Sequence, residues 1–198
     1  MANTNTPIQD IFEKYRFDRN ISKKSSAWFE QQALLLSKKG ITPNKILKND
    51  PGAAKTTIIP GNMYLFAYDA KNKETLPYWD KFPLVFPFKA VKGGFYGLNL
   101  HYLPYRLRAI LMDRLLQFKN NSKFDETTKL KYSWDLISSA SKFNLAKPCV
   151  KHYLMPHVRS PFVKINSEDW TTALMLPVER FAGATSSTVW ADSKKAGR

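Results

Sequence analysis

The chain is short of cysteine, glycine and acid. Its one cysteine, Cys149, can form no internal disulfide and suits a reducing compartment. Eight glycines in 198 residues make no phosphate cradle, because Gly93-Gly94 has no Lys-Ser/Thr behind it, which argues against P-loop nucleotide hydrolysis. No apolar run approaches the roughly 20 residues that a membrane-spanning helix needs. The opening MANTNTPIQDIFEKY has neither the basic start nor the apolar stretch of a secretory signal. No G-x-S-x-G elbow marks a serine nucleophile. The expectation is a soluble protein made in the cytoplasm.

The shortage of acid has a functional meaning. Sixteen Asp and Glu face 31 Lys and Arg, a formal net charge of +15. Such an excess repels itself and points to a polyanionic partner such as nucleic acid, or to acidic protein neighbours. It is unevenly spread: residues 104–160 hold eleven basic and four acidic groups, nearly half of the surplus. With 43% hydrophobic and 14% aromatic residues, the composition is otherwise that of a globular protein.

The hydrophobic pattern divides the chain at residue 57. Residues 1–57 read as a helical N-terminal arm. Ile8, Ile11 and Phe12 sit at helical spacing, and Ser25-Ser26 caps a helix carrying Trp28 and Leu34–Leu36 that stops at Gly40. Thr42-Pro43 opens a short helix ended by Asp50-Pro51-Gly52. Residues 58–198 form the core domain. Within 58–103, MYLFAYDA reads as a strand with Met63, Leu65 and Ala67 on one face. PLVFPFKAV and FYGLNLHYL form a hairpin about Gly93-Gly94, in which Pro83 and Pro87 mark an edge or a bend. Residues 104–160 carry basic helices. The first has Leu107, Ile110, Leu111 and Leu115 inward; the second, capped by Asp125, has Leu130, Trp134 and Ile137 inward. Residues 161–198 supply a helix begun at Ser167 and a small, polar tail anchored by Trp190. The predicted class is α+β: a small curled antiparallel sheet or SH3-like barrel, flanked by several helices and an extended N-terminal arm.

Four constellations could carry chemistry. Cys149-x2-His152-x4-His157 has metal-like spacing, but only His101 remains as a fourth ligand, so no metal or other cofactor is expected. A Cys/His nucleophile pair within so short a segment is disfavoured. Asp69, Glu74 and Asp80 supply the carboxylates of a metal-dependent nuclease, yet on a strand and loop rich in local ion-pair partners. The fourth pattern is aromatic–basic interleaving. Tyr102, Tyr105, Arg106, Arg108 and Arg114 form one group, and Lys147, Lys151, His152, Tyr153 and Arg159 another. Cations neutralise phosphates and tyrosines pack on sugars or unpaired bases, so Tyr105, Arg106, Arg108, Arg114, Lys147, Lys151 and Arg159 are the expected nucleic-acid or partner contacts.

The strings PGNMYLFAYDAKNKETLPYWDKFPLVFPF, GGFYGLNLHYLPYRLRAILMD, KPCVKHYL, ALMLPVERF and VWADSKK, in this order over about residues 25–195, resemble a family of virion proteins of T4-like tailed phages. The resemblance implies no enzyme. It implies a structural or assembly component at the neck or tail–baseplate axis, or alternatively a DNA end protector. The implied partners are other virion proteins, in multiple symmetric copies, and double-stranded DNA; the implied location is the virion. Trp28 and Trp190 would anchor neighbouring subunits. Replacing Arg106 and Arg108 would hurt a DNA end protector and largely spare a pure scaffold.

Overall fold

Runs of apolar and aromatic residues that bury both faces of the strands build the sheet at the centre of the fold. The structure is a computed structural model that describes residues 23–38, 40, 42–48, 54–55, 57–110, 112, 135, 137 and 146–196. The strands are β1 (Ala54–Lys55), β2 (Met63–Leu65), β3 (Trp79–Asp80), β4 (Leu84–Val91), β5 (Gly94–Asn99), β6 (Val150–Leu154), β7 (Phe162–Ile165) and β8 (Phe181–Ala182). Six of them form one sheet in the order β1-β7-β2-β4-β5-β6, while β3 and β8 pair separately. Every described pairing is antiparallel.

The sheet has two different apolar faces. Met63, Leu65, Leu84, Phe86, Leu98 and Val163 join the larger core. There they meet Phe29 and Leu36 of α1 (Ser26–Lys38), Ile46 of α2 (Pro43–Lys48) and Trp170 of α4 (Trp170–Ala173). Tyr64, Phe66, Val85, Phe95, Tyr153 and Phe162 fill the other face. Phe66 sits at its centre, edge-on to Phe162 at 4.9 Å and to Tyr153 at 5.3 Å; such contacts add to the gain from area alone. The sheet curls over this aromatic cluster. A single bridge joins Tyr68 to Val158, flanked by Arg159 N–H to the Ala67 carbonyl (2.8 Å) and Asp69 N–H to the His157 carbonyl (3.0 Å). The ladder does not close, so of the two predicted forms the curled sheet is the one found, within the α+β class.

The hairpin forms as predicted, with Val91 opposite Gly94 and the turn at Lys92–Gly93. Gly93 takes φ 77°, a left-handed conformation that needs no Cβ. Pro87 marks a bend and not an edge, since β4 lies between β2 and β5, while Pro83 precedes the strand. The register shifts between Pro87 and Lys89, where the missing proline N–H cannot join the ladder. The strand expected to run on to Tyr102 ends at Asn99, whose side chain accepts the His101 N–H and starts a 3-10 turn, Leu100–Tyr102.

Residues 105–110 and 112 are helical (α3) after Pro104, Leu111 lying outside the described residues, and the phase differs from the predicted one. Arg108, Ala109 and Met112 are buried, while Leu107 and Ile110 are half-buried. Leu115, Asp125, Leu130 and Trp134 lie outside the described residues, as do Ile8, Ile11, Phe12 and the Asp50-Pro51-Gly52 stop; Ile137 is buried. The polar tail is helical as α5 (Ser186–Ala196), with Val189 and Ser193 buried and the Thr185 hydroxyl capping the Thr188 N–H at 3.3 Å.

Gly94 lies so close to β6 that an added Cβ would fall 2.1 Å from the Tyr153 carbonyl oxygen. Gly94→Ala is therefore expected to cost about 1–3 kcal/mol by forcing the strands apart. It would lower the urea midpoint at unchanged slope.

Candidate nucleic-acid interface

Two buried polar networks meet at His101. Its ring Nδ1–H donates to Asp80 Oδ2 at 2.6 Å, the geometry expected against an acceptor-only carboxylate. Asp80 also accepts the Phe82 N–H (3.0 Å) and Asn99 Nδ2 (3.1 Å), and Asn99 Nδ2 reaches the Tyr153 hydroxyl oxygen at 3.0 Å. On its other side, the His101 carbonyl accepts from Arg108 NH2 (3.2 Å) and Trp190 Nε1 (2.8 Å). Arg108 is 0% exposed. Its Nε donates to the Leu103 carbonyl (2.7 Å), NH1 to the Leu174 carbonyl (3.2 Å) and NH2 to Glu179 (2.5 Å). Tyr105 and Trp190 flank the guanidinium, at 4.6 and 5.6 Å from their ring centres.

The Asp80–His101 network underlies a cleft of about 320 Å³, walled by Tyr68, Tyr78, Trp79, Tyr102 and Tyr153 and edged by Lys71, Lys151 and His152. Three segments build it: the 68–80 loop with β3, the turn after β5, and β6. Lys151 stands over the Tyr102 ring at 3.9 Å. Among the described residues no carboxylate pairs with it, and burial pulls its pKa below the ordinary lysine value. A desolvated cation without a counter-anion is costly unless a ligand supplies one. The same burial pushes the Cys149 thiol up to about 12, leaving too little thiolate at neutral pH for nucleophilic work.

The predicted contacts do not form one surface. Arg108 is corrected outright: with four donor contacts to its own chain and no exposure it reaches no phosphate. Tyr105 packs on Trp190 at 5.4 Å, and burial raises its hydroxyl to about 12. Trp190 thus anchors α5 within the chain. Trp28 lies partly buried against Phe29, edge-on at 5.2 Å, with Lys24 5.7 Å from its ring. Arg106 is exposed and lines a second hollow of about 290 Å³ with Glu30, Trp190 and Lys194. Lys147 is exposed ahead of β6. Arg159 is exposed, 3.6 Å from Asp69. Arg114 lies outside the described residues. The cleft draws Tyr102, Lys151, His152 and Tyr153 together from the two predicted groups. Tyr78 and Trp79 were missed; their only signal was an aromatic pair inside an otherwise polar loop.

Of the carboxylates proposed for a nuclease, Asp69 and Asp80 are engaged elsewhere and Glu74 is exposed. Asp69 is held acidic chiefly by its hydrogen bond to Lys73 (3.3 Å), and Asp80 is buried beside His101. His152 stacks on Tyr96 at 4.7 Å and His157 Nδ1 meets the Asp69 carbonyl at 2.9 Å. Among the described residues no three His, Cys, Asp or Glu side chains come together.

The chain belongs to a phage family, the phage T4 terminal DNA protecting protein family, which matches residues 10–193. No curated protein and no solved structure matches it. The family description favours the DNA end protector among the roles implied by the sequence resemblance, over a part of the neck, tail or baseplate.

Removing Arg108 takes the guanidinium from the Glu179 carboxylate and the side-chain donor from the Leu103 and Leu174 carbonyls, while the His101 carbonyl keeps Trp190 Nε1, so Arg108→Ala is expected to cost about 3–5 kcal/mol. Any loss of DNA affinity should track the unfolded fraction measured by circular dichroism. Lys151 has the opposite sign. Its folded pKa lies below the unfolded one, so between the two the unfolded chain binds more protons and stability rises with pH; below both, the desolvation cost stands in full. Lys151→Met is expected to stabilise by about 1 kcal/mol at neutral pH and to flatten that pH dependence in urea titrations.

Proposed function

We propose that the protein binds the termini of linear double-stranded DNA and shields them from exonucleases, without catalysing a reaction itself. The observation that carries this reading is the uncompensated Lys151 ammonium among aromatic walls, in a chain of the terminal DNA protecting family with a +15 surplus. Solvated cations such as Arg106, Lys147 and Lys194 supply sequence-independent attraction to phosphates. The cleft supplies what a continuous duplex cannot use, ring surface for an unstacked base. Carried in the virion at the end of packaged DNA, the protein would sit at the neck among other virion proteins. There the exposed Leu34 and Leu35 of α1 are available to neighbours.

The test is digestion of end-labelled linear duplex by an exonuclease, with and without the protein, using closed circular DNA as competitor. Protection of linear DNA that the circular competitor fails to abolish is expected, weakening more than tenfold between about 50 and 200 mM salt. Unprotected ends at the lower salt would rule the reading out.

A further inference from the structure

We infer that the cleft holds one unpaired nucleotide at the DNA terminus, its base against Tyr78 and Trp79 and its phosphate on Lys151 and Lys71. This rests on the end-binding function above and names what is held. Size is the first support. At about 320 Å³ the hollow lies at the small end of ligand pockets, large enough for a nucleotide and too small for a duplex.

The walls are the second. Aromatic rings gain from a base only where its π-face is bare, and within a duplex both faces are stacked. Bare faces occur at an end, where unpairing one nucleotide disrupts a single stack. Tyr78 and Trp79 are only half-buried, so ring surface is left to offer.

The third support is unmet hydrogen-bonding demand. The Trp79 indole N–H is buried with no acceptor among the described residues. Lys151 lacks an anion, and Lys71 lies exposed at the rim with no carboxylate partner among those residues. A nucleotide is rich in what the two lysines lack, namely phosphate oxygens. Asp80 in the floor does not oppose it, because its oxygens already accept from Phe82, Asn99 and His101. The second hollow, beside Arg106 and Lys194, fits less well, since Glu30 sets a carboxylate among its cations.

The experiment compares three labelled duplexes by fluorescence anisotropy: one closed by hairpins at both ends, one with a blunt end, and one with a three-nucleotide single-stranded extension. dAMP serves as a free competitor. The extended duplex is expected to bind roughly tenfold more tightly than the blunt one. Tyr78→Ala and Lys71→Glu should each erase that advantage, so that the extended and blunt duplexes bind the variant alike; Lys71 lies in an exposed turn, so its variant keeps the fold even if Tyr78→Ala does not. Equal affinity for blunt and extended ends would overturn the inference and leave end protection standing. Equal affinity for open and closed duplexes would overturn end binding itself. Displacement by dAMP at concentrations matching the DNA would make the occupant a free nucleotide and also overturn it.

Discussion

The fold depends on one buried cation. Arg108 enters the core because its donors find acceptors at Leu103, His101, Leu174 and Glu179. Those acceptors belong to the turn after β5, the end of α4 and the segment leading to β8. A guanidinium is suited to this by its five donors in a fixed plane and its weak hydration. The bonds make the helix phase a consequence of polar satisfaction and not of the leucine stripe. With Arg108 inward, Trp190 closes over its face, and α5 docks where a polar tail would otherwise stay in solvent.

His101 passes this order to the cleft. Its carbonyl belongs to the Arg108 network and its ring to Asp80, which stands beneath the binding walls. Networks of this kind are stable only when nearly every member is satisfied, and here they position Tyr102, Tyr153 and β3 from below. The cleft itself is left unsatisfied. Lys151 and the Trp79 N–H keep a demand that no described residue meets, at some expense in stability, as binding sites commonly do. The floor is hydrogen-bonded except at His101 Nε2, which is buried with no partner among the described residues; a floor held in place beneath an open wall is what a preorganised ligand site requires.

For the proposed end-binding function this division of labour makes physical sense. The solvated cations give affinity that any stretch of duplex can claim, so they cannot distinguish an end from the middle. Discrimination needs a feature that only ends possess. A small aromatic cleft offers one, since a bare base face is rare along a duplex and easily produced at its terminus.

Much of the architecture was legible in local sequence. The hairpin about Gly93, the strand at Met63–Leu65 and the capped helix after Ser25 follow from period-2 and period-3.6 patterns and turn chemistry, which act over a few residues. So did the phage family resemblance, carried by its aromatic–proline strings. The site was half legible: Lys151, Tyr102, His152 and Tyr153 were picked out as interleaved, but as members of separate groups. What tertiary structure decided was which cations face inward. Arg106 and Arg108 are indistinguishable by composition, yet one is solvated and the other is 0% exposed, because burial depends on acceptors as many as 71 residues away at Glu179. Likewise Lys71, Tyr78 and Trp79 become cleft residues only when β3 pairs with β8 and the loop comes to rest beside β6. No periodicity reports a juxtaposition of that range.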